Sequence, residues 1–174
     1  MRDLLVASLI LLLLAAEGGL WVLNPMHIPG QFITARAFGL QLFDEPGDSM
    51  APTVAAGRRV LVSSWTYLAR PPRGGDVVAF CYPPDPSIAD LKRIVATAGS
   101  TIEIRSGLVY VDDKLLGPPN AAAVSDTVRF RHDMPRQRVP PDSFFVLGDN
   151  LATSEDSRTY GFISRASIIG KSLL

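Results

Sequence analysis

The chain has 174 residues, with 17 Lys and Arg against 17 Asp and Glu and a formal net charge of zero. That balance excludes nucleic-acid binding driven by bulk positive charge. A content of 47% apolar residues excludes disorder over most of the length. The single cysteine, Cys81, excludes an intrachain disulfide, and with only His27 and His132 beside it no zinc site of the usual ligand type is expected. Fourteen Gly and fourteen Pro point to a turn-rich, mainly β domain.

The N-terminus is the most apolar part. Residues 1–3 read as a short cytoplasmic end. Leu4 to Ala16 carries no charge, and the stretch continues past Glu17 to Leu23, twenty residues in all. As a helix it spans about 30 Å, the thickness of a bilayer core. Glu17 falls in the outer half, where a carboxyl reaches water, and Trp21 near the outer interface. Arg2 precedes the span, and no Lys or Arg occurs from Asn24 to Ala35, which favours the N-terminus inside. The competing reading is a removed signal peptide, cut before Gly19 after the small residues Ala16 and Gly18. Either reading places 24–174 outside the cytoplasm.

Asn24 to Gly30, with Pro25 and Pro29, reads as a linker. Extended segments follow at Phe32 to Phe43 and Gly57 to Ser63, and Asp76 to Tyr82 reads as a strand buried on both faces. Ile102 to Arg105 and Leu108 to Val111 form a hairpin around Ser106-Gly107. Arg129 to Arg131 alternates like an edge strand, and Phe144 to Leu147 is a second buried run. Proline pairs at 71–72, 83–84, 118–119 and 140–141 exclude long helices. Only Pro52 to Ala56 and Ser164 to Ile168 suit a short helical turn.

Several familiar motifs fail. Gly170-Lys171-Ser172 resembles the end of a phosphate-binding loop, but Arg165 stands where that loop needs glycine. The turn around Ser49 lacks the last glycine of a hydrolase elbow. His27 and His132 have no catalytic neighbours in sequence, so a histidine-based triad is not expected.

Three clusters remain. Pro46-Gly47-Asp48-Ser49-Met50-Ala51-Pro52-Thr53 exposes a serine in a turn, although an ordinary Asp/Ser turn has the same composition. In Leu91-Lys92-Arg93-Ile94-Val95, period two sends Lys92 and Arg93 to opposite faces, so one of them points inward. An inward lysine is desolvated, which favours the neutral amine a serine needs as base. The plain alternative is a snorkelling surface lysine. Gly148 to Arg158 is a polar loop at a strand end, where sites are often built. Its plain alternative is a solvated loop with a weak Asp156–Arg158 pair.

Taken in order behind an apolar N-terminus, these pieces resemble the bacterial type I signal peptidases, membrane-anchored serine–lysine proteases. The matching segments are Gly-Asp-Ser-Met-x-Pro-Thr at 47–53, Gly-Asp-Val-Val-x-Phe at 75–80, Lys-Arg-Ile at 92–94, and Gly-Asp-Asn-x-x-x-Ser-x-Asp-Ser-Arg-x-x-Gly at 148–161. The hairpin at Gly107 to Asp113 is also similar. The resemblance implies a compact β-sheet or β-barrel-like catalytic domain, with one transmembrane helix at 4–23. It implies a single-pass enzyme of the bacterial cytoplasmic membrane whose catalytic domain, 24–174, faces outward. That enzyme removes signal peptides from preproteins after an Ala-x-Ala site.

By the same resemblance Ser49 is the nucleophile and Lys92 the general base. Ser154 orients the lysine amine, Asp156 and Arg158 form the structural pair of their loop, and Arg93 and Asp149 are structural. Phe80, Val146 and Leu147 shield the lysine. The oxyanion is met by the Ser49 backbone N–H, and Gly47 lacks the side-chain donor that some members carry. The substrate lies extended beside Phe43 to Pro46, with Pro46 and Leu91 as pocket walls. Signal peptides and the lipid bilayer are the expected partners, with no nucleic acid, metal or cofactor. Trp65 and Tyr67 are the expected lipid contacts, while Phe32, Phe38, Leu40 and Phe43 divide between core and membrane. Cys81 is read as packing.

Three rivals remain. One is a conjugative-transfer protease of the same serine–lysine family, acting on a pilin or transfer protein. Another is a self-cleaving repressor, disfavoured by the apolar N-terminus. The third is a membrane-anchored β adaptor without catalysis, disfavoured by the intact Ser49, Lys92 and Ser154.

Overall fold

A computed structural model describes residues 39–106, 108–116 and 133–174. The apolar segment at 4–23, Phe32, Phe38 and the expected strand at Arg129 to Arg131 lie outside these residues. The described elements are β1 (Leu40–Glu45), β2 (Arg58–Ser63), α1 (Thr66–Ala69), β3 (Val77–Cys81), β4 (Ala89–Thr97) and β5 (Thr101–Arg105). They continue with β6 (Leu108–Val111), β7 (Lys114–Leu115), β8 (Met134–Arg138), β9 (Ser143–Leu147), α2 (Ser157–Tyr160), β10 (Ile163–Ser164) and β11 (Ile168–Ser172). The mainly β expectation is met.

Two antiparallel sheets form, ordered β1-β2-β11-β3-β4-β9-β10 and β7-β6-β5-β8. Side-chain alternation explains how the sheets share their cores. All five residues of β3 are buried, because an apolar cluster covers each face. Val77, Ala79 and Cys81 join Met50, Val60, Val62 and Leu91 on one side. Val78 and Phe80 join Ile94, Phe144 and Val146 on the other. β9 alternates in the same way, so Phe145 and Leu147 face a third cluster with Ile102, Ile104 and Val109, which joins the two sheets. Cys81 is a free, buried thiol within the first cluster, as packing requires.

The hairpin appears where the sequence indicated, with Arg105 opposite Leu108 and Ser106 at a positive φ of 51°. Of the two expected helical turns, one appears. Pro52 to Ala56 is a chain of turns, with the Val54 N–H on the Met50 carbonyl (2.8 Å). Proline has no N–H to extend such a bond into a ladder. Ser164 to Ile168 holds one 3-10 turn, Arg165–Ser167, capped by Ser164 Oγ, before β11 begins. The two α-helical turns lie instead at α1 and α2.

Tyr67 is also corrected. It is 5% exposed, and its hydroxyl donates to Asp76 Oδ2 (3.1 Å) while the Arg70 and Arg165 guanidinium groups lie over its ring. Burial raises its phenol above the ordinary tyrosine value. Tyr67 therefore belongs to the core and cannot meet lipid. Trp65, 51% exposed, remains on the surface.

β11 reaches both β2 and β3, and Gly170 permits that approach. A Cβ there would stand 2.7 Å from the Ser63 carbonyl carbon and oxygen, backbone that cannot step aside. Gly170→Ala is expected to destabilise the protein by about 1–3 kcal/mol through overpacking. Denaturant unfolding of the full chain in detergent measures this, and an unchanged midpoint would show that the two strands can spread.

Candidate active site

β1 ends at Glu45 and the chain turns through Pro46 to Ala51, closing with the Ala51 N–H on the Asp48 carbonyl (3.0 Å). Met50, fully buried in the first cluster, pins this turn to the core. Its neighbour Ser49 consequently presents its side chain to a cleft of about 390 Å³, walled by Phe43, Pro46, Leu91 and Tyr82 among others.

Lys92 lies in the middle of β4, opposite Val78 on β3. The choice between Lys92 and Arg93 is resolved: Lys92 is 2% exposed and points in. Arg93 turns to the other face and grips Asp149 with two bonds of 2.7 and 2.6 Å. Val78, Phe80, Ile94 and Val146 form the apolar cluster on the Lys92 face. Leu147 does not share it, since it pairs with Arg93 and faces the third cluster.

The Lys92 amine has three partners. Nζ stands 3.2 Å from Ser49 Oγ, 2.6 Å from Asp90 Oδ1 and 3.1 Å from the Leu91 carbonyl oxygen. Ser49 Oγ in turn donates to Glu45 Oε1 at 3.3 Å. Burial raises the Glu45 carboxyl above the usual carboxylate value, although the Lys92 charge pulls it the other way.

The polar loop after β9 builds the floor. The Asn150 N–H donates to the Ser49 carbonyl (2.9 Å), locking the loop to the serine's backbone. Gly148 is required at this junction, because a Cβ would collide with the Ser154 side chain and the Ser49 carbonyl oxygen. Asp156, fully buried, accepts from the Gly148 N–H (3.1 Å) and from Arg158 Nε (2.6 Å) and an Nη (2.7 Å). Arg158 also donates to the Leu151 and Ser154 carbonyls. The solvated-loop alternative fails on this burial. An exposed pair contributes at most about 1 kcal/mol, whereas removing one partner of a buried pair costs about 3–5 kcal/mol.

The fold thus brings Ser49, Lys92, Ser154, Asp149, Asp156, Arg158 and Arg93 to one region, with Leu91 buried and Pro46 exposed on the cleft wall. Ser154 Oγ is buried with no hydrogen-bond partner among the described residues, so its contact is to Gly148 and not to the lysine amine. Glu45, Asp90 and Tyr82, whose hydroxyl donates to Glu155 (2.7 Å), were not expected at the site. Asp90 stands two residues before Lys92 and shares its face by strand period, a signal present in the sequence. Glu45 carries no such signal, because its place depends on how β1 meets β4.

A buried strand lysine touching a turn serine, on an antiparallel scaffold, defines a serine–lysine site. Residues 3–174 match the family described as signal peptidase, peptidase S26. The chain belongs to that family. It is 35% identical over 142 residues to a probable signal peptidase I-1 of Synechocystis, covering 74% of this chain and 66% of the relative. It is 32% identical to a signal peptidase I of Leptolyngbya laminosa, over 74% and 64% of the two chains. A signal peptidase I of Bacillus caldolyticus is 30% identical, over 79% of this chain and 80% of that one. The first two matches therefore cover just under two thirds of the relatives' lengths. These names do not favour the conjugative-transfer alternative.

The raised Glu45 carboxyl has a consequence for stability. Its folded form prefers the proton, so its contribution is complete below the ordinary carboxylate range and is lost as pH rises through the raised value. Glu45→Gln is expected to raise the melting temperature at pH 8 and to give no gain at pH 4. An equal change at both pH values would show that Glu45 carries no such penalty.

Proposed function

We propose that this protein is a serine endopeptidase that removes signal peptides from exported preproteins after an Ala-x-Ala site, with Ser49 as nucleophile and Lys92 as general base. The observation that carries the reading is the 3.2 Å approach of a buried lysine amine to the turn serine, within a chain of the signal peptidase family. As Ser49 Oγ bonds to the scissile carbonyl carbon, its proton passes to Lys92 Nζ, and the carbonyl electron pair moves to oxygen. Collapse expels the amine, which takes the proton from Nζ and leaves an ester on Ser49. Water then attacks that ester, again through Lys92, and releases the second product.

The Ser49 N–H is the donor proposed for the developing oxyanion. Gly47 adds no second donor, though a Cβ at that position would stand 3.9 Å from Ser49 N. Among the described residues β1 is an edge strand, and its Phe43–Pro46 end walls the cleft. An extended peptide would pair along it by β-augmentation, with Leu91 and Pro46 limiting side-chain size. Ser154, Asp149, Asp156, Arg93 and Arg158 serve this reading as supports of the serine turn and its floor.

The proposed setting is the outer face of a bacterial cytoplasmic membrane, held there by the helix at 4–23. That segment lies outside the described residues, and among those described no helix is long and apolar enough to cross a membrane. Leu40, Leu42, Leu61, Trp65 and Leu68 are all 40% or more exposed, and Leu42 pairs directly with Leu61. They lie next to the point where the chain arrives from its apolar N-terminus. A lipid surface is the occupant proposed for this face.

The central test uses the full chain in detergent with a preprotein whose signal ends in Ala-x-Ala. A single cut after that site, located by mass spectrometry and abolished by Ser49→Ala and by Lys92→Ala, is expected. Retained cleavage in a folded Lys92→Ala protein would refute the dyad. Lipid contact is read from Trp65 alone, in a Trp21→Phe protein reconstituted into vesicles. Brominated lipid is expected to quench its fluorescence, and an unquenched indole would remove the membrane face.

A further inference from the structure

We propose that Asp90 is the third member of this site, a positioning residue that aims the Lys92 amine at Ser49 and offsets the charge formed when Lys92 takes the serine proton. The inference rests on the serine–lysine reading above. It begins from the chemistry of the three partners at Nζ. Asp90 Oδ1, the Leu91 carbonyl and Ser49 Oγ all accept from Nζ, and the serine's own proton points to Glu45 Oε1. For that proton to reach Nζ the hydroxyl must turn from Glu45, and the amine must stay aimed at Oγ. The two contacts to its own strand, Asp90 and Leu91, hold it there. A third group that orients the base completes the logic of a nucleophile–base–orienter set.

Asp90 is itself held in place. Its Oδ1 also accepts the Leu91 N–H at 2.7 Å, fixing the carboxylate against its own strand. This is no ordinary surface pair, since the Lys92 side chain is 3% exposed and that of Asp90 is 22% exposed. The carboxylate's outer edge stays wet while the contact with the amine is dry. A contact so little exposed to water is weakly screened, so the attraction between the two groups counts. Ser154 Oγ, by contrast, makes no hydrogen bond among the described residues.

The proton balance is complete without Asp90 changing its protonation. Ser49 loses its proton to Nζ, the resulting ammonium stands 2.6 Å from Oδ1, and the leaving amine removes that proton. The other titratable groups facing this pair are Glu45 from the end of β1, Tyr82 beyond β3, Glu155 in the loop and Tyr160 of α2. Glu45 competes for the serine proton from the opposite side. Tyr82 and Tyr160 lie within electrostatic reach of the carboxylate, Glu155 bonds to Tyr82, and none of the three bonds to the amine.

The test measures kcat and KM against pH for the full chain in detergent on the preprotein, comparing Asp90→Asn and Asp90→Glu with the parent. Asp90→Asn is expected to lower kcat at least about tenfold, part of the 10²–10⁴ that general base catalysis supplies, with KM changed by less than about threefold. Its acid limb should move to lower pH, because the counter-charge favouring the protonated amine is gone. Asp90→Glu should recover part of the loss. Asp90→Ser, too short to reach the amine, gives the same readout if Asp90→Asn fails to fold.

An unchanged kcat, a uniform loss with no movement of the limb, or a larger loss from Ser154→Ala than from Asp90→Asn would each overturn the role. Ser49→Ala and Lys92→Ala run in the same series separate the two claims. If both are inactive while Asp90→Asn is normal, only this inference falls. If either cleaves, the dyad falls and this inference with it.

Discussion

Everything at this site follows from placing one amine in an apolar interior. An unpaired ammonium at the Lys92 position would be prohibitively costly, so the fold must either give it partners or leave it neutral. It provides two acceptors from its own strand and a third, the Ser49 hydroxyl oxygen, from across the cleft. β4 supplies both acceptors because Asp90 shares the Lys92 face and the Leu91 carbonyl lies between them. The scaffold then has one remaining task, which is to bring Ser49 to the third position.

That task falls to the loop after β9. Arg93, pointing away from Lys92 on the same strand, takes Asp149 with two short bonds and also reaches Thr53 on the far side of the serine turn. Asp156 and Arg158 hold the loop's backbone from beneath. Gly148 lets the loop lie against the Ser49 carbonyl, and the Asn150 N–H closes the contact. The adjacent pair Lys92-Arg93 therefore divides its work across the sheet: one side chain serves the cleft and the other fastens the wall that positions its partner.

Much of this was legible before any coordinates. The buried strands β3 and β9 announce themselves as uninterrupted apolar runs, and the hairpin of β5 and β6 by its Ser-Gly turn. The family resemblance of the motifs around Ser49, Lys92 and the Gly-Asp-Asn loop named the candidate site residues, and the period of β4 reduced the lysine question to two choices. What escaped depends on long-range register. The closing strand β11, which the sequence reading did not mark, forms because β2 and β3 leave a gap that Gly170 can enter. Tyr67 looked like a lipid anchor beside Trp65, yet Asp76 and two arginines give its ring and hydroxyl a complete interior environment. No local pattern distinguishes those two aromatics.

The two carboxylates that sequence reading missed explain how the site reconciles charge with burial. Glu45 and Asp90 approach the same amine from different strands but bond to different groups. Glu45 is enclosed, so its proton is retained more firmly than usual and its partner is the serine hydroxyl. Asp90 keeps an edge in water and lies on the lysine itself. The more enclosed acid faces the nucleophile, and the more exposed one faces the base. In the proposed reaction the positive charge appears on Nζ as the serine proton arrives. It appears beside the wetter carboxylate, where an ion pair forms without moving a chain or admitting solvent to the apolar face on which Lys92 lies.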